Sequence, residues 1–273
     1  MIIELFGPPG AGKTTLARAL AVRLRDRGHV AQLSLSYRPT ERMAVLGTCE
    51  AAARRYRNAM IRRLGRPLGE ILTIARHPFA NSRDVKMAIH LVGLLPPEHI
   101  FASIKNGQYI FRLSHSWYKE SGAGHFALFD QAFVQAVCSL ALLAGVANDT
   151  PIANALDYAP KSDLLIRLDA PLELLKARLD DRRRFQGKIE QLLEPDLKRS
   201  LASIQMIDRL HNLLLRRGRP VLHASSLDQE SLGESLNLIE EEVARRLQNP
   251  AERRLGTATT RAAAADQRGD LHG

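Results

Sequence analysis

The sequence predicts an α/β protein in which apolar strands alternate with amphipathic helices, and three observations carry that prediction. Met1 to Phe6 is a short apolar run with the length of a buried strand. A glycine-rich turn follows it, and behind the turn Leu16, Leu20 and Leu24 recur at every fourth position, on one face of a helix. Gly28 then stands where a helix C-terminus favours positive φ, and His29 to Ser36 reads as a second strand. Strand, turn, helix and strand make a βαβ unit, whose strands are parallel with a right-handed crossover.

The rest of the chain extends this pattern. His125 to Asp130 is the next stretch that reads as a buried strand, and the 87 residues from Arg38 to Gly124 before it read as a helical insertion. Within the insertion, Arg38 to Glu41 can cap a first helix, and Gly65-Arg66-Pro67 breaks the run. Further helices are expected over Asp84 to Leu95, ended by Pro96-Pro97, and over Glu98 to Trp117, ended by Gly122 to Gly124. Ala132 to Ala147 reads as a buried helix, interrupted by Gln135 and too short for the roughly 20 residues of a membrane span. Leu164 to Asp169 is the fourth strand, and Pro171 suits the first position of the helix behind it. Ile204, Ile207, Leu210 and Leu214 keep one helical face, and Pro220 to Ala224 is the fifth strand. Ser226 and Gln229 have capping-box spacing for a last helix with Leu232, Leu236, Ile239, Val243 and Leu247 on its inner face. The domain is therefore expected over 1–248, with 249–273 a tail too poor in large apolar residues to bury a core.

Composition narrows the function classes. With 45% apolar and 25% charged residues the chain is ordinary for a soluble globular protein. No basic leader precedes the first apolar run, so neither a signal peptide nor a membrane span is expected and the cytoplasm is the expected compartment. Cys49 and Cys138 have no redox or metal-ligand spacing, and the nine histidines show none either. The net charge of +10 comes largely from arginine, in a cluster from Arg54 to Arg66 and another from Arg178 to Lys188. Such clusters can bind nucleic acid, but no nucleic-acid-binding motif accompanies them, and a protein handling several phosphates needs cations in any case.

The turn after the first strand reads Gly7-Pro8-Pro9-Gly10-Ala11-Gly12-Lys13-Thr14-Thr15, which fills every fixed position of G-x-x-x-x-G-K-[ST]. A phosphate needs several backbone N–H groups aimed at it. Glycines let the chain curl around the anion, and the helix beginning near Lys13 adds its positive dipole end. Pro8 and Pro9 restrict φ at two loop positions. In this motif the lysine reaches the β- and γ-phosphates of a nucleoside triphosphate and the hydroxyl of Thr14 ligates Mg²⁺.

Asp130 ends the third strand, the edge of a parallel sheet at which ligands bind. Its carboxylate can share the metal, orient a metal-bound water or take a proton from an attacking hydroxyl, or it can cap the helix that begins at Gln131. Arg178 and Arg182 lie four apart on one helical face and can neutralise charge on a transferred phosphoryl group from a lid over 171–190. Pairing with Asp180 and Asp181 on a solvated face is the other reading. Trp117, in Leu113 to Tyr118, either lines an acceptor pocket or belongs to the core. Ser114 and Ser116 have no strand-turn-helix elbow around them and are not expected to be nucleophiles.

With loop, aspartate and arginines in this order, the chain resembles a P-loop kinase of the nucleoside and nucleotide kinase group, most closely the thymidylate-kinase-like proteins. The resemblance covers Met1 to about Ser36 and His125 to about Leu247. It implies a three-layer fold with a parallel five-stranded sheet in the order 2-3-1-4-5, ATP and Mg²⁺ as co-substrates, and a closing lid. It further implies Lys13 as the phosphate-binding lysine, Thr14 and Asp130 at the metal, Arg178 and Arg182 in the lid, and the turn from Ala224 to Leu227 against the adenine. Thymidylate kinases carry an arginine directly after the strand-ending aspartate, where this chain has Gln131. The acceptor is left open among nucleotides, nucleosides, sugars and other small metabolites, as are the donor base and the oligomeric state. A regulatory P-loop ATPase working with a macromolecular partner is the alternative. A GTPase is not indicated, because the Asp-x-x-Gly at Asp266 lies in the tail and Pro160 to Asp163 precedes a strand.

Overall fold

The computed structural model describes residues 1–35, 82–185 and 197–248, and of 182–185 and 197–201 the backbone alone. The expected cap at Arg38 to Glu41, the break at Gly65 to Pro67, the Arg54 to Arg66 cluster, Cys49 and the 249–273 tail all lie outside the described residues.

β1 (Ile2–Phe6) runs into α1 (Lys13–Asp26), and β2 (Ala31–Ser34) follows. The next described elements are α2 (Ser82–Leu94), α3 (Ile100–Ser121) and β3 (Phe126–Phe129). Behind β3 come α4 (Phe133–Leu143), α5 (Asp149–Tyr158) and β4 (Leu164–Leu168). The chain closes with α6 (Leu172–Phe185), α7 (Leu197–Arg216), β5 (Val221–Ala224) and α8 (Gln229–Gln248). All strand pairs are parallel, in the order β2-β3-β1-β4-β5. The central strand β1 sets Glu4 opposite Phe129 of β3 on one side and Leu165 of β4 on the other. This is the three-layer P-loop fold with the expected strand order, and its ligand crevice lies outside the C-terminal ends of β1 and β3.

Alternation along β1 divides the interior into two cores. Ile3 and Leu5 face α1 and α8, where Leu16, Leu20, Leu24, Leu236, Ile239 and Val243 close a cluster. Ile2 and Phe6 face a larger cluster filled by α2 to α5 and α7. There Trp117 is 1% exposed, with its ring centroid 5.1 Å from Phe129 and 5.3 Å from Phe133. Trp117 is thus core, and the reading of it as an acceptor platform falls away.

Two local readings are corrected. The stretch read as one buried helix ends at Leu143, Gly145 turns the chain with φ +58°, and α5 is a separate helix. The Asn148 side chain caps α5 by accepting the Thr150 N–H at 3.0 Å. Nor do Ser226 and Gln229 cap α8. Asp228 accepts the Ser231 N–H at 2.8 Å and Ser231 Oγ accepts the Asp228 N–H at 3.1 Å, which begins the helix two residues later. Ser226 is buried against the loop instead. Among the described residues no helix is long and apolar enough to cross a membrane.

Candidate functional site

β1 ends where its neighbours leave no room for a side chain. A Cβ on Gly7 would lie 2.3 Å from the Leu168 carbonyl oxygen, so the turn out of the strand needs glycine at that position. Gly12, with φ +96°, opens α1, and a Cβ there would meet Ser226 at 2.9 Å. Between them Ala11 N–H closes a turn onto Pro8 O at 3.3 Å. α1 begins with no side-chain cap, so its positive end is presented to the crevice by the backbone.

Lys13 lies back across this loop. Its Nζ donates to Gly7 O at 2.7 Å and Pro8 O at 2.9 Å, which holds a buried positive charge inside the ring of backbone. Thr14 Oγ1 donates to Asp130 Oδ2 at 2.7 Å, joining two residues 116 positions apart. Asp130 is 1% exposed, and the N-cap residue of α4 is Ala132, which has no side-chain cap bond of its own. The pair offers two hard oxygen donors, and Mg²⁺ typically takes one or two protein oxygens plus phosphate oxygens and water. Among the described residues no group of three or more His, Cys, Asp or Glu could hold a metal by itself.

The loop forms one wall of a cavity of about 490 Å³. Gly10, Gly12, Lys13, Thr14 and Thr15 line its floor, Gln131 one end, and Ser226 to Gln229 with Leu232 the other. Of the turn from Ala224 to Leu227, Ser226 and Leu227 line the cavity, together with Asp228, Gln229 and Leu232 beyond it. Their shared signal in the sequence was the Asp228 to Ser231 cap, which places them on one turn and the first turn of α8.

Arg178 also lines the cavity, but its guanidinium points at backbone. It donates to Gly10 O at 3.0 Å, Ser226 O at 3.0 Å and Leu227 O at 2.9 Å, bracing the phosphate loop against the β5–α8 turn. The Arg182 side chain lies outside the described residues, so the four-apart pair is represented by Arg178 alone.

Sequence reasoning missed a second set of residues behind the loop. Glu4 is 0% exposed, and its Oε1 accepts the Val134 N–H at 2.6 Å. Gln135 Oε1 accepts the Gly7 N–H at 3.3 Å. Tyr109 of α3 donates its hydroxyl to Gln131 O at 3.4 Å. Burial raises Glu4 to about 7, opposed by the Val134 N–H, the charge of Arg219 and Ser162. Burial, with the charges of Asp130 and Glu4, pushes the Tyr109 phenol far up, so it stays a donor. The one available signal was a lone acid inside an otherwise apolar strand.

The remaining candidates are structural. Ser114 Oγ donates to Asp84 Oδ1 at 2.6 Å, and His115 Nδ1 meets the other oxygen of Asp84 at 3.3 Å. The carboxylate stands between serine and histidine, so the histidine cannot take the serine proton, and the cluster ties α3 to α2. Burial pushes the Cys138 thiol up to about 12, which removes it as a nucleophile.

No protein-family model matches the chain, and no curated protein matches it. Among solved structures, deoxyadenosine kinase from M. mycoides with dCMP and a flexible dCDP bound as products aligns at 14% identity, with a TM-score of 0.48, over 90% of this chain and 100% of that one. Deoxyadenosine kinase from M. mycoides with bound dCTP aligns with a TM-score of 0.46 at the same identity and coverage. The form with bound dATP aligns at 14% identity with a TM-score of 0.42, over 89% and 100% of the two chains. The fold assignment itself rests on the strand order and the loop geometry described above.

Proposed function

We propose that the protein is an ATP- and Mg²⁺-dependent phosphotransferase of the P-loop kinase type, moving the γ-phosphoryl group to a small-molecule acceptor of the nucleoside or nucleotide class. The observation that carries this reading is the Thr14–Asp130 hydrogen bond, which sets a strand-ending carboxylate against the hydroxyl of a complete phosphate-binding loop. In this reading the loop backbone and Lys13 bind the β- and γ-phosphates. Thr14 and Asp130 would hold Mg²⁺, which when bound neutralises charge on the phosphates. Asp130, buried and next to the loop, would in this reading accept the proton of an acceptor hydroxyl. Lys13 leaves the Gly7 and Pro8 carbonyls for the phosphates, and the turn from Ser226 to Gln229 receives the base. Residues 38–124 form the acceptor region and 171–190 a lid.

The test is ADP release from Mg-ATP, with and without a panel of nucleosides, nucleoside monophosphates and sugars, using Lys13→Ala as the blank. A rate that rises at least tenfold with one acceptor class supports the kinase and names its substrate. An acceptor-independent rate that the blank lacks rejects it in favour of an ATPase working with a macromolecular partner.

A further inference from the structure

Glu4 is a carboxyl in the middle of the central strand, flanked by Ile3 and Leu5, where the fold asks for an apolar residue. Burying a carboxyl costs several kcal/mol unless its oxygens find partners. One oxygen is used on the Val134 N–H, and among the described residues Oε2 has no hydrogen-bond partner. The bond made is therefore the informative one. Val134 lies in the opening turn of α4, a helix whose N-cap residue, Ala132, has nothing to cap with. Glu4 supplies that cap from another element, 130 residues away.

The same turn is tied a second time. Gln135 reaches back to the Gly7 N–H, the first residue of the phosphate loop. Asp130 and Gln131 are the short link between β3 and this turn, and the link is also held by Tyr109 through the Gln131 carbonyl. Asp130 is thus fixed from β3 on one side and from α4 on the other, and the α4 side is anchored on Glu4.

We propose that Glu4 is a positioning residue, which by capping α4 from within β1 holds Asp130 against Thr14. The proposal rests on the kinase reading only for its catalytic consequence. The groups that face Glu4 are the Val134 N–H of α4, Tyr109 of α3, Ser162 before β4 and Arg219 before β5. Burial holds the Glu4 carboxyl at about 7, so the tie changes from a charge-assisted bond to a weaker neutral one as pH falls through neutrality.

Amide hydrogen exchange on the nucleotide-free full chain tests the tie, comparing wild type with Glu4→Gln and Glu4→Leu. The amide of glutamine can still accept the Val134 N–H, whereas leucine cannot. Exchange across Val134 to Ala136 is expected to rise at least tenfold in Glu4→Leu and to stay within threefold of wild type in Glu4→Gln, with α1 unchanged in both. In wild type, protection of this turn, corrected for intrinsic exchange, falls from pH 8 to pH 6, and in Glu4→Gln it does not. Wild-type exchange in Glu4→Leu overturns the proposal, and so does a rise spread evenly over α1 and α4, which reports general loosening. With an acceptor in hand, Glu4→Leu is expected to lose at least tenfold in kcat with KM for ATP within threefold, and Glu4→Gln to recover it. Faster exchange confined to α4 with an unchanged kcat overturns the positioning role. A wild type without acceptor-dependent turnover overturns the kinase reading, and the exchange data still decide the tie.

Discussion

The two faces of the sheet are built on different terms. Between the sheet and α1 with α8 the interior is mostly leucine, isoleucine, valine and alanine, with Phe126 the one buried aromatic residue of that cluster, and the buried Glu240 is paired to Arg23 and Arg27 at 3.1 and 2.7 Å. The opposite face is larger and holds most of the buried aromatic residues, Phe6, Trp117, Phe129 and Phe133, and the buried Glu4 bonds there to the first turn of α4. The difference follows from what each face serves. The first only has to seat the helix that carries the loop, and non-directional apolar burial does that. The second has to place a carboxylate against the loop, and directional bonds to buried polar groups are needed for that.

The comparison can be broken most sharply at the loop both faces support. Lys13→Ala is expected to lower kcat/KM for Mg-ATP by about 10²- to 10³-fold, roughly 3–4 kcal/mol, since the loss of a preorganised charge at the phosphates costs that much. The fold is expected to survive, because Nζ donates to the Gly7 and Pro8 carbonyls within the loop rather than across the sheet. Unchanged turnover would sink the functional reading. Cutting into either core should cost the fold and spare the chemistry's logic. Trp117→Ala, which removes the centre of an aromatic group, is expected to destabilise by about 3–5 kcal/mol, and Leu20→Ala on the other face by about 2–5 kcal/mol. Denaturant unfolding measures both. If Trp117→Ala cost well under 1 kcal/mol, the residue would not be core.

Glu4 sharpens the contrast by pH. Its carboxyl is raised from the ordinary 4.5 to about 7, so the folded state binds the proton more tightly than the unfolded chain. Its favourable contribution is full below pH 4.5 and is lost as pH rises through 7. Between pH 4.5 and 8 wild type should therefore lose stability relative to Glu4→Gln, on the order of 3 kcal/mol at the limit, the cost of roughly two and a half pH units. Parallel stability curves for the two proteins would show that Glu4 does not titrate in this range. The smallest expected effect is Asn148→Ala, which removes the cap of α5 and should cost about 1 kcal/mol, a drop in Tm of about 2–4 °C.

How much was legible in the chain differs between the faces in the same way. Leu16, Leu20 and Leu24, and Leu236, Ile239 and Val243, announce their helices by spacing alone, and both sets lie in the core they predict. The phosphate loop was readable because its motif fixes the glycines, and Gly7, Gly10 and Gly12 all adopt positive φ. Asp130 was readable as the end of a strand. The break inside Ala132 to Ala147 was hidden because Ala144, Val146 and Ala147 keep the stretch apolar past the end of α4 at Leu143. Ser226 has the spacing of a cap, but Asp228 is the residue that accepts the Ser231 N–H, and local spacing cannot decide between two candidate caps.

What the sequence determined by itself was therefore everything set by neighbours along the chain: the strands, most of the helices, the loop and the residue types its chemistry needs. Only the tertiary structure decided what Arg178, Trp117 and Glu4 do. Their partners lie far away in the chain, on the β5–α8 turn, on β3 and on α4, and no local pattern records which distant group a buried charge or ring will meet. Periodicity encodes which side of an element is buried. The identity of the group it is buried against is fixed only when the sheet has chosen its order.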